Sequence, residues 1–310
     1  MTGQRPFRFA TSAFDTPTAA DLTEAARRIE HQGYALFVVP DHFNNRLAPG
    51  PALTAVACAA PGLRVATTVY AADFRHPAVL AKEASSIDVL TDGRFEFGIG
   101  AGWARADYDE TGIPFDRASV RVRRTQEVLR VVKGLWRDAP FTFDGEFFTI
   151  RGLDGRPKPV QQPHPPIFIG GGGRQMLSFA AREANIIGLI ARALPDGGLD
   201  FAADSEQLLE TKLGWVRDAA GERFEQIELA ILLWKVVVTD NGRVAAEDAA
   251  RKRNVTVEQV LRSPYFQFGS VDCIVDRLTM LRDTYGISHV SVFPDDSDAF
   301  APVVARLAGS

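Results

Sequence analysis

Cysteine is scarce: Cys58 and Cys273 are the only two in 310 residues. They lie far apart and outside any CxxC spacing, so neither a disulfide scaffold nor a cysteine-based zinc site is encoded, which suits a reducing compartment. No stretch reaches the roughly 18 apolar residues of a membrane span, and the N-terminal MTGQRPFRFATSAF lacks an apolar core of signal-peptide length. The expected location is therefore the cytoplasm, away from membranes. Neither sign of charge dominates. The 35 basic and 39 acidic residues give a net charge of −4, which excludes the dense positive field that a nucleic-acid duplex or an anionic bilayer demands and favours a small-molecule partner. No histidine pair has HxH or HExxH spacing, so no metal site is expected, and no GxSxG elbow supports a hydrolytic serine.

What is present is alternation. Short β-prone runs occur at Phe7 to Thr11, Ala35 to Val39, Arg64 to Thr68, Arg94 to Gly100, Pro166 to Gly170, Ala184 to Ile190, Glu228 to Thr239 and His289 to Phe293. Helical spacing separates several of them, at Thr18 to Gln32 with a stop at Gly33, at Ala78 to Leu90 and at Ala118 to Trp136. Eight strands interleaved with helices fit an α/β fold of the (β/α)8 barrel type, typically about 250 residues plus insertions; a doubly wound sheet is the rival. No linker, charge block or fixed-period repeat divides the chain, so a single domain over residues 1–310 is expected. Two segments depart from the alternation and read as insertions: Ala139 to Pro165, with a hairpin-like FTFDGEFFTI, and the Gly- and Asp-rich Ala191 to Asp204.

In such a barrel the reactive groups stand at the C-terminal ends of strands. Strand two runs into Pro40-Asp41-His42-Phe43, strand three into Thr68-Val69-Tyr70, strand four into Gly100-Ala101-Gly102-Trp103, and strand five into Gly170 to Gly173 with Arg174. Four glycines entering a helix expose backbone N–H groups at the positive end of the helix dipole, and Arg174 adds a cation, a combination suited to a phosphate; the alternative is a bare strand-to-helix turn. The GIGAG turn departs from the dinucleotide fingerprint because Trp103 replaces the third glycine, and WARADYDETG is a poor opening for a packed helix. Among five histidines, His42 follows a strand directly and can face a pocket and titrate near neutrality. His31, His164 and His289 read as surface or packing residues and His76-Pro77 as a helix start, while Asp295, Asp296 and Asp298 read as a solvated loop.

The run RVATTVYAADFRHPAVLAKEASSIDVLTDGRFEFGIGAGW, with PDHF before it and PKPVQQPHPPIFIGGGG after it, resembles the luciferase-like flavin and deazaflavin superfamily, and within it the bacterial coenzyme F420-dependent oxidoreductases. The likeness extends from Phe7 to Phe293. It implies a barrel whose mouth holds a tricyclic ring, backed by a bulge with a non-prolyl cis peptide that maps onto Thr68-Val69. It also implies that Asp41 and His42 lie beside the reactive edge of the ring, and that Gly100, Ala101 and Gly102, with Gly171, Gly172, Gly173 and Arg174, grip the phosphate-bearing tail. In the sugar-phosphate branch a glutamate stands where this chain has Trp103, and the substrate-holding lysines have no secure counterpart, Lys212 being the nearest. Together with Phe14, Phe43, Tyr70 and Tyr108, Trp103 suggests instead a substrate pocket for a flat or apolar molecule.

The resulting expectation is an enzyme, an F420-dependent oxidoreductase transferring a hydride between C5 of the deazaflavin and a small organic substrate. His42 would donate or accept the proton, and Asp41 would orient or polarise it or else hold the strand end structurally. Two alternatives remain at this level: a two-component monooxygenase using reduced FMN and O2, and a non-catalytic deazaflavin-binding barrel. The resemblance also implies a homodimer and an F420-reducing or FMN-reducing enzyme as indirect partner.

Overall fold

A computed structural model describes the chain apart from residues 1–3, 14–15, 17, 45–46, 193, 195–199 and 201–204. In chain order the strands are β1 (Arg8–Thr11), β2 (Leu36–Val39), β3 (Arg64–Thr67), β4 (Tyr70–Ala71), β5 (Phe95–Gly100), β6 (Phe141–Asp144), β7 (Thr149–Leu153), β8 (Ile167–Gly171), β9 (Ile186–Leu189), β10 (Glu228–Leu233), β11 (Lys235–Val238), β12 (Phe266–Gly269) and β13 (Ile287–Val292). The helices are α1 (Ala19–His31), α2 (Pro49–Ala59), α3 (Pro77–Leu90), α4 (Arg105–Thr111), α5 (Ala118–Trp136), α6 (Arg174–Glu183), α7 (Glu206–Ala220), α8 (Gly242–Arg253), α9 (Val257–Arg262), α10 (Val271–Tyr285) and α11 (Pro294–Leu307). The parallel order β3-β2-β1-β13-β10-β9-β8-β5 is closed by pairing of β3 with β5, Val65 opposite Phe95 and Ala66 opposite Glu96. The fold is thus a closed eight-stranded (β/α)8 barrel, and the doubly wound alternative falls away. Among the described residues no helix is long and apolar enough to cross a membrane.

Local sequence accounts for the helices that carry the frame. Thr18 and Asp21 form a reciprocal capping box at the start of α1, which buries Leu22, Ala25, Ala26 and Ile29 along one stripe and ends before Gly33 at φ +84°. The long α5 buries Val128, Leu129, Val132 and Trp136, whose indole N–H donates to the Ala81 carbonyl of α3 at 3.2 Å. Strand side chains then divide between two environments. Phe9 packs outward against Phe300 of α11 with ring centroids 5.6 Å apart, while Ala10, Leu36, Val38 and Ala66 form a separate, smaller cluster.

Three expectations need correction. The apolar run from Glu228 to Thr239 is two strands, because the Trp234 N–H donates to the Tyr265 carbonyl at 2.8 Å and draws the chain out of the barrel. There β11 pairs in parallel with β12, a strand that the sequence reading missed. The acidic run at Asp295 opens α11, and Asp296 is buried, accepting from the Val236 N–H at 2.9 Å and from Lys235. WARADYDETG does contain a helix, α4, held by the burial of Asp107 and Tyr108 rather than by its own propensity. The hairpin expected after Ala139 is present as antiparallel β6 and β7, and Glu127 of α5 secures it by accepting from the N–H groups of Glu146, Phe147 and Phe148. Most of the second insertion candidate, 191–204, lies outside the described residues.

A charged layer sits near the strand starts. Burial alone would raise the Glu96 carboxyl, but Arg8 at 2.6 Å and Arg64 at 2.8 Å outweigh it and hold it below its ordinary value. Arg8 also bridges to Glu228 at 3.1 Å. His289 is wholly buried in β13 beside these groups, and burial pushes its pKa below the ordinary 6.5. Below that value the unfolded chain binds a proton that the folded chain refuses, so stability falls with acidification from about pH 6.5 down to the folded-state value. Urea unfolding at pH 7.5 and 5.5 is expected to show this loss, and His289→Leu to flatten it; an equal slope in the variant would remove His289 as the cause. The loss from Glu96 belongs to a lower window, below its unfolded value near 4.5.

Candidate active site

The barrel mouth is built from bare backbone. After β3 the Thr68-Val69 peptide is cis, at the position to which the resemblance points, and β4 then pairs with Ile99 and Gly100. A Cβ on Gly100 would lie 2.6 Å from Val69 Cγ2, and one on Gly98 only 1.9 Å from the Thr67 carbonyl oxygen, so close apposition of β3 and β5 requires glycine at both. The turn beyond β5 is fixed from α4 and α5. Gly102 takes φ +69° above the Tyr108 hydroxyl, which donates to Asp73 at 3.1 Å. Asp73 is held in turn by Arg124 at 2.8 Å, and Arg121 donates to the Ala101 and Gly102 carbonyls at 3.1 and 3.4 Å.

Asp41 and His42 leave β2 side by side but have different partners. The Asp41 carboxylate is taken by Arg75, at 2.5 and 3.1 Å, and by the Ala71 N–H at 3.2 Å. It fastens the end of β2 to β4 and does not orient His42, which corrects the expectation for that residue. His42 Nδ1 lies 2.6 Å from Asp107 Oδ2, and the second oxygen of Asp107 accepts the Phe43 N–H at 3.2 Å. Trp103 stands edge-on to the imidazole, with centroids 5.6 Å apart and planes at 83°. Asp107 is the residue that the sequence reading missed. No local signal marks it, because its partner His42 lies 65 residues away in sequence.

The remaining candidates separate by burial. Phe43 is 53% exposed and rests on Phe74, centroids 5.1 Å apart. Tyr70 and Tyr108 are buried and do not present their faces to a pocket, a second correction. The Tyr70 hydroxyl donates to Glu83 at 2.8 Å, and burial together with Glu83 pushes its pKa well up; burial and Asp73 do the same to Tyr108. Neither tyrosine exchanges protons near neutrality, and both are packing residues behind the mouth. Phe14 lies outside the described residues. Lys212 is fully buried and donates to the Ile190 carbonyl at 2.8 Å just beyond β9. His164 lines a polar cleft of about 460 Å³ with Lys133, Arg182 and Arg223 before the starts of β8 and β9, at the end of the barrel remote from His42.

Gly171 closes β8, and a Cβ on Gly172 would meet the Ala191 carbonyl oxygen at 2.3 Å. Among the described residues no side chain caps the first amides of α6 at Gly173, and none of them outside its own chain neighbours lies within 4 Å of where its Cβ would be; Arg174 is exposed beside it.

Residues 4–268 match the model of the luciferase-like monooxygenases. The chain belongs to this family. It is 36% identical over 109 residues to an FMNH2-dependent dimethylsulfone monooxygenase from Pseudomonas putida, a match covering 35% of this chain and 30% of that protein. It is 30% identical over 172 residues to an F420-dependent glucose-6-phosphate dehydrogenase from Kineococcus radiotolerans, covering 53% and 50%. The matched stretches thus span half or less of these curated relatives. Among solved structures, the coenzyme F420 dependent tetrahydromethanopterin reductase from Methanopyrus kandleri superposes with TM-score 0.77 over 99% of both chains at 18% identity, a likeness of fold. The named relatives include both FMNH2-dependent and F420-dependent proteins. Gly100 and Gly172 let Val69 and the Ala191 backbone approach closely, so no side chain projects there, and the start of α6, uncapped among the described residues, with exposed Arg174 suits an anionic group.

Proposed function

We infer that the protein is a coenzyme F420-dependent oxidoreductase acting on a small organic substrate other than a sugar phosphate. The observation that carries this reading is the His42–Asp107 pair at the barrel mouth, a hydrogen-bonded imidazole beside the glycine turns after β5 and β8. A match to an F420-dependent dehydrogenase over 53% of the chain supports the choice of deazaflavin.

When bound, the deazaflavin supplies a carbon that gives or takes a hydride as a two-electron unit. The chain's own residues do the rest. Thr68 and Val69 would back the ring, Gly100 to Gly102 would hold its flank, and Gly171 to Gly173 with Arg174 would receive the anionic tail. His42 would deliver or remove the proton that must accompany hydride transfer to or from a polar double bond. Trp103 and Phe43 offer an aromatic wall to the substrate in place of an acid or a phosphate-binding cation.

The test is anaerobic turnover of the reduced deazaflavin with a panel of carbonyl, imine and activated alkene substrates. Substrate-dependent cofactor oxidation without O2 is expected. The dimethylsulfone monooxygenase match favours a second reading, an FMNH2-dependent monooxygenase, which oxygen uptake dependent on reduced FMN would establish in place of the first.

A further inference from the structure

We propose that Asp107 is the positioning residue that fixes His42 as the Nδ1–H tautomer and so leaves Nε2 as the nitrogen that works at the barrel mouth. The proposal deepens the reading of His42 as the proton-handling group and adds a residue that no comparison assigns.

Three observations carry it. First, Nδ1 lies 2.6 Å from Oδ2, within hydrogen-bond distance of the carboxylate. An ionised carboxylate only accepts, so the hydrogen between them belongs to Nδ1. Second, Asp107 is itself clamped: its other oxygen accepts the Phe43 N–H at 3.2 Å, the Thr111 hydroxyl donates to its carbonyl at 2.6 Å, and its side chain is 9% exposed. The carboxylate therefore grips two successive residues of the loop after β2 and sets both the position and the rotation of the ring. Third, Trp103 meets the imidazole edge-on, and among the described residues Nε2 has no hydrogen-bond partner. The His42 side chain stays partly open, so this nitrogen remains accessible. Asp41, the nearer carboxylate in sequence, is excluded from this role by its bidentate bond to Arg75.

Asp107 is expected to act through His42 and not on substrate. The tautomer is read in the apoprotein by 15N NMR after 15N-histidine labelling, with the His42 signals assigned by their absence in His42→Gln. The wild type should show a protonated Nδ1 and a bare Nε2, and Asp107→Asn should move the hydrogen toward Nε2. With a reacting substrate, Asp107→Asn should lower kcat by about 10²-fold while KM and cofactor affinity stay within about twofold, and it should cost nothing further in a His42→Gln background. A His42 tautomer unchanged by Asp107→Asn would overturn the proposal, and so would an equal loss of kcat in the two backgrounds. If Asp107→Asn unfolds, Asp107→Glu, which keeps the acceptor, should retain the wild-type tautomer; loss of the tautomer there would equally count against the assignment. The NMR result needs neither cofactor nor substrate, so failure of the F420 reading leaves it separately decidable.

Discussion

His42→Ala is expected to lower kcat by about 10²–10⁴-fold, the usual contribution of a positioned acid or base, with cofactor affinity nearly unchanged. The split follows from the geometry. Removing the imidazole takes away a group that, alone among the described residues, combines a strand-end position, a fixed partner in Asp107 and a nitrogen left accessible at the mouth. The glycine platform and the α6 amides, which would hold the cofactor, do not touch it. Single-turnover kinetics read the chemical step directly, and exogenous imidazole should restore part of the rate. An unchanged chemical rate would remove His42 from the mechanism.

Gly98→Ala is expected to destabilise the barrel by about 3 kcal/mol, the upper end of what overpacking ordinarily costs. The new Cβ would stand 1.9 Å from the Thr67 carbonyl oxygen, and that atom cannot rotate away as a side chain would. The same two residues are tied by a pair of hydrogen bonds: the Gly98 N–H donates to the Thr67 hydroxyl at 2.9 Å, which donates to the Gly98 carbonyl at 2.8 Å. Relief of the clash therefore requires β3 and β5 to separate at the strand pair that closes the barrel. Gly173→Ala is the control, since among the described residues none outside its chain neighbours comes within 4 Å of its Cβ position. Chemical unfolding followed by circular dichroism should show a large loss for the first variant and almost none for the second; equal midpoints would contradict the packing argument.

Much of this barrel is legible in the sequence because its strands are short β-branched or aromatic runs with glycine or proline at their ends. Those signals act within a few residues, and α5 is found where it was expected for the same reason. The errors lie where a distant contact decides. Nothing in ELAILLWKVVV marks a break; the chain turns at Trp234 because of a hydrogen bond to residue 265. The four-residue β12 carries too little pattern to register by itself, and becomes a strand by pairing with β11.

The site follows the same rule. His42 stands out because it ends a strand, and the glycine turns stand out by composition. Asp107 does not, because its partner is 65 residues away. Asp41 looked like the orienting group by adjacency, yet Arg75 claims it. Tyr70 and Tyr108 looked like pocket lining because a tyrosine suits a wet aromatic surface; only their hydrogen bonds to Glu83 and Asp73 disclose that they face inward.

The central claim is that this mouth is a deazaflavin site. Equilibrium titration of the apoprotein with F420 and, separately, with FMN, each oxidised and reduced, tests it most directly, with intrinsic fluorescence including Trp103 as the signal. The expected result is tight binding of the deazaflavin and markedly weaker binding of FMN in either state. Preferential binding of reduced FMN would contradict the account and place the protein among the oxygen-using members of its family.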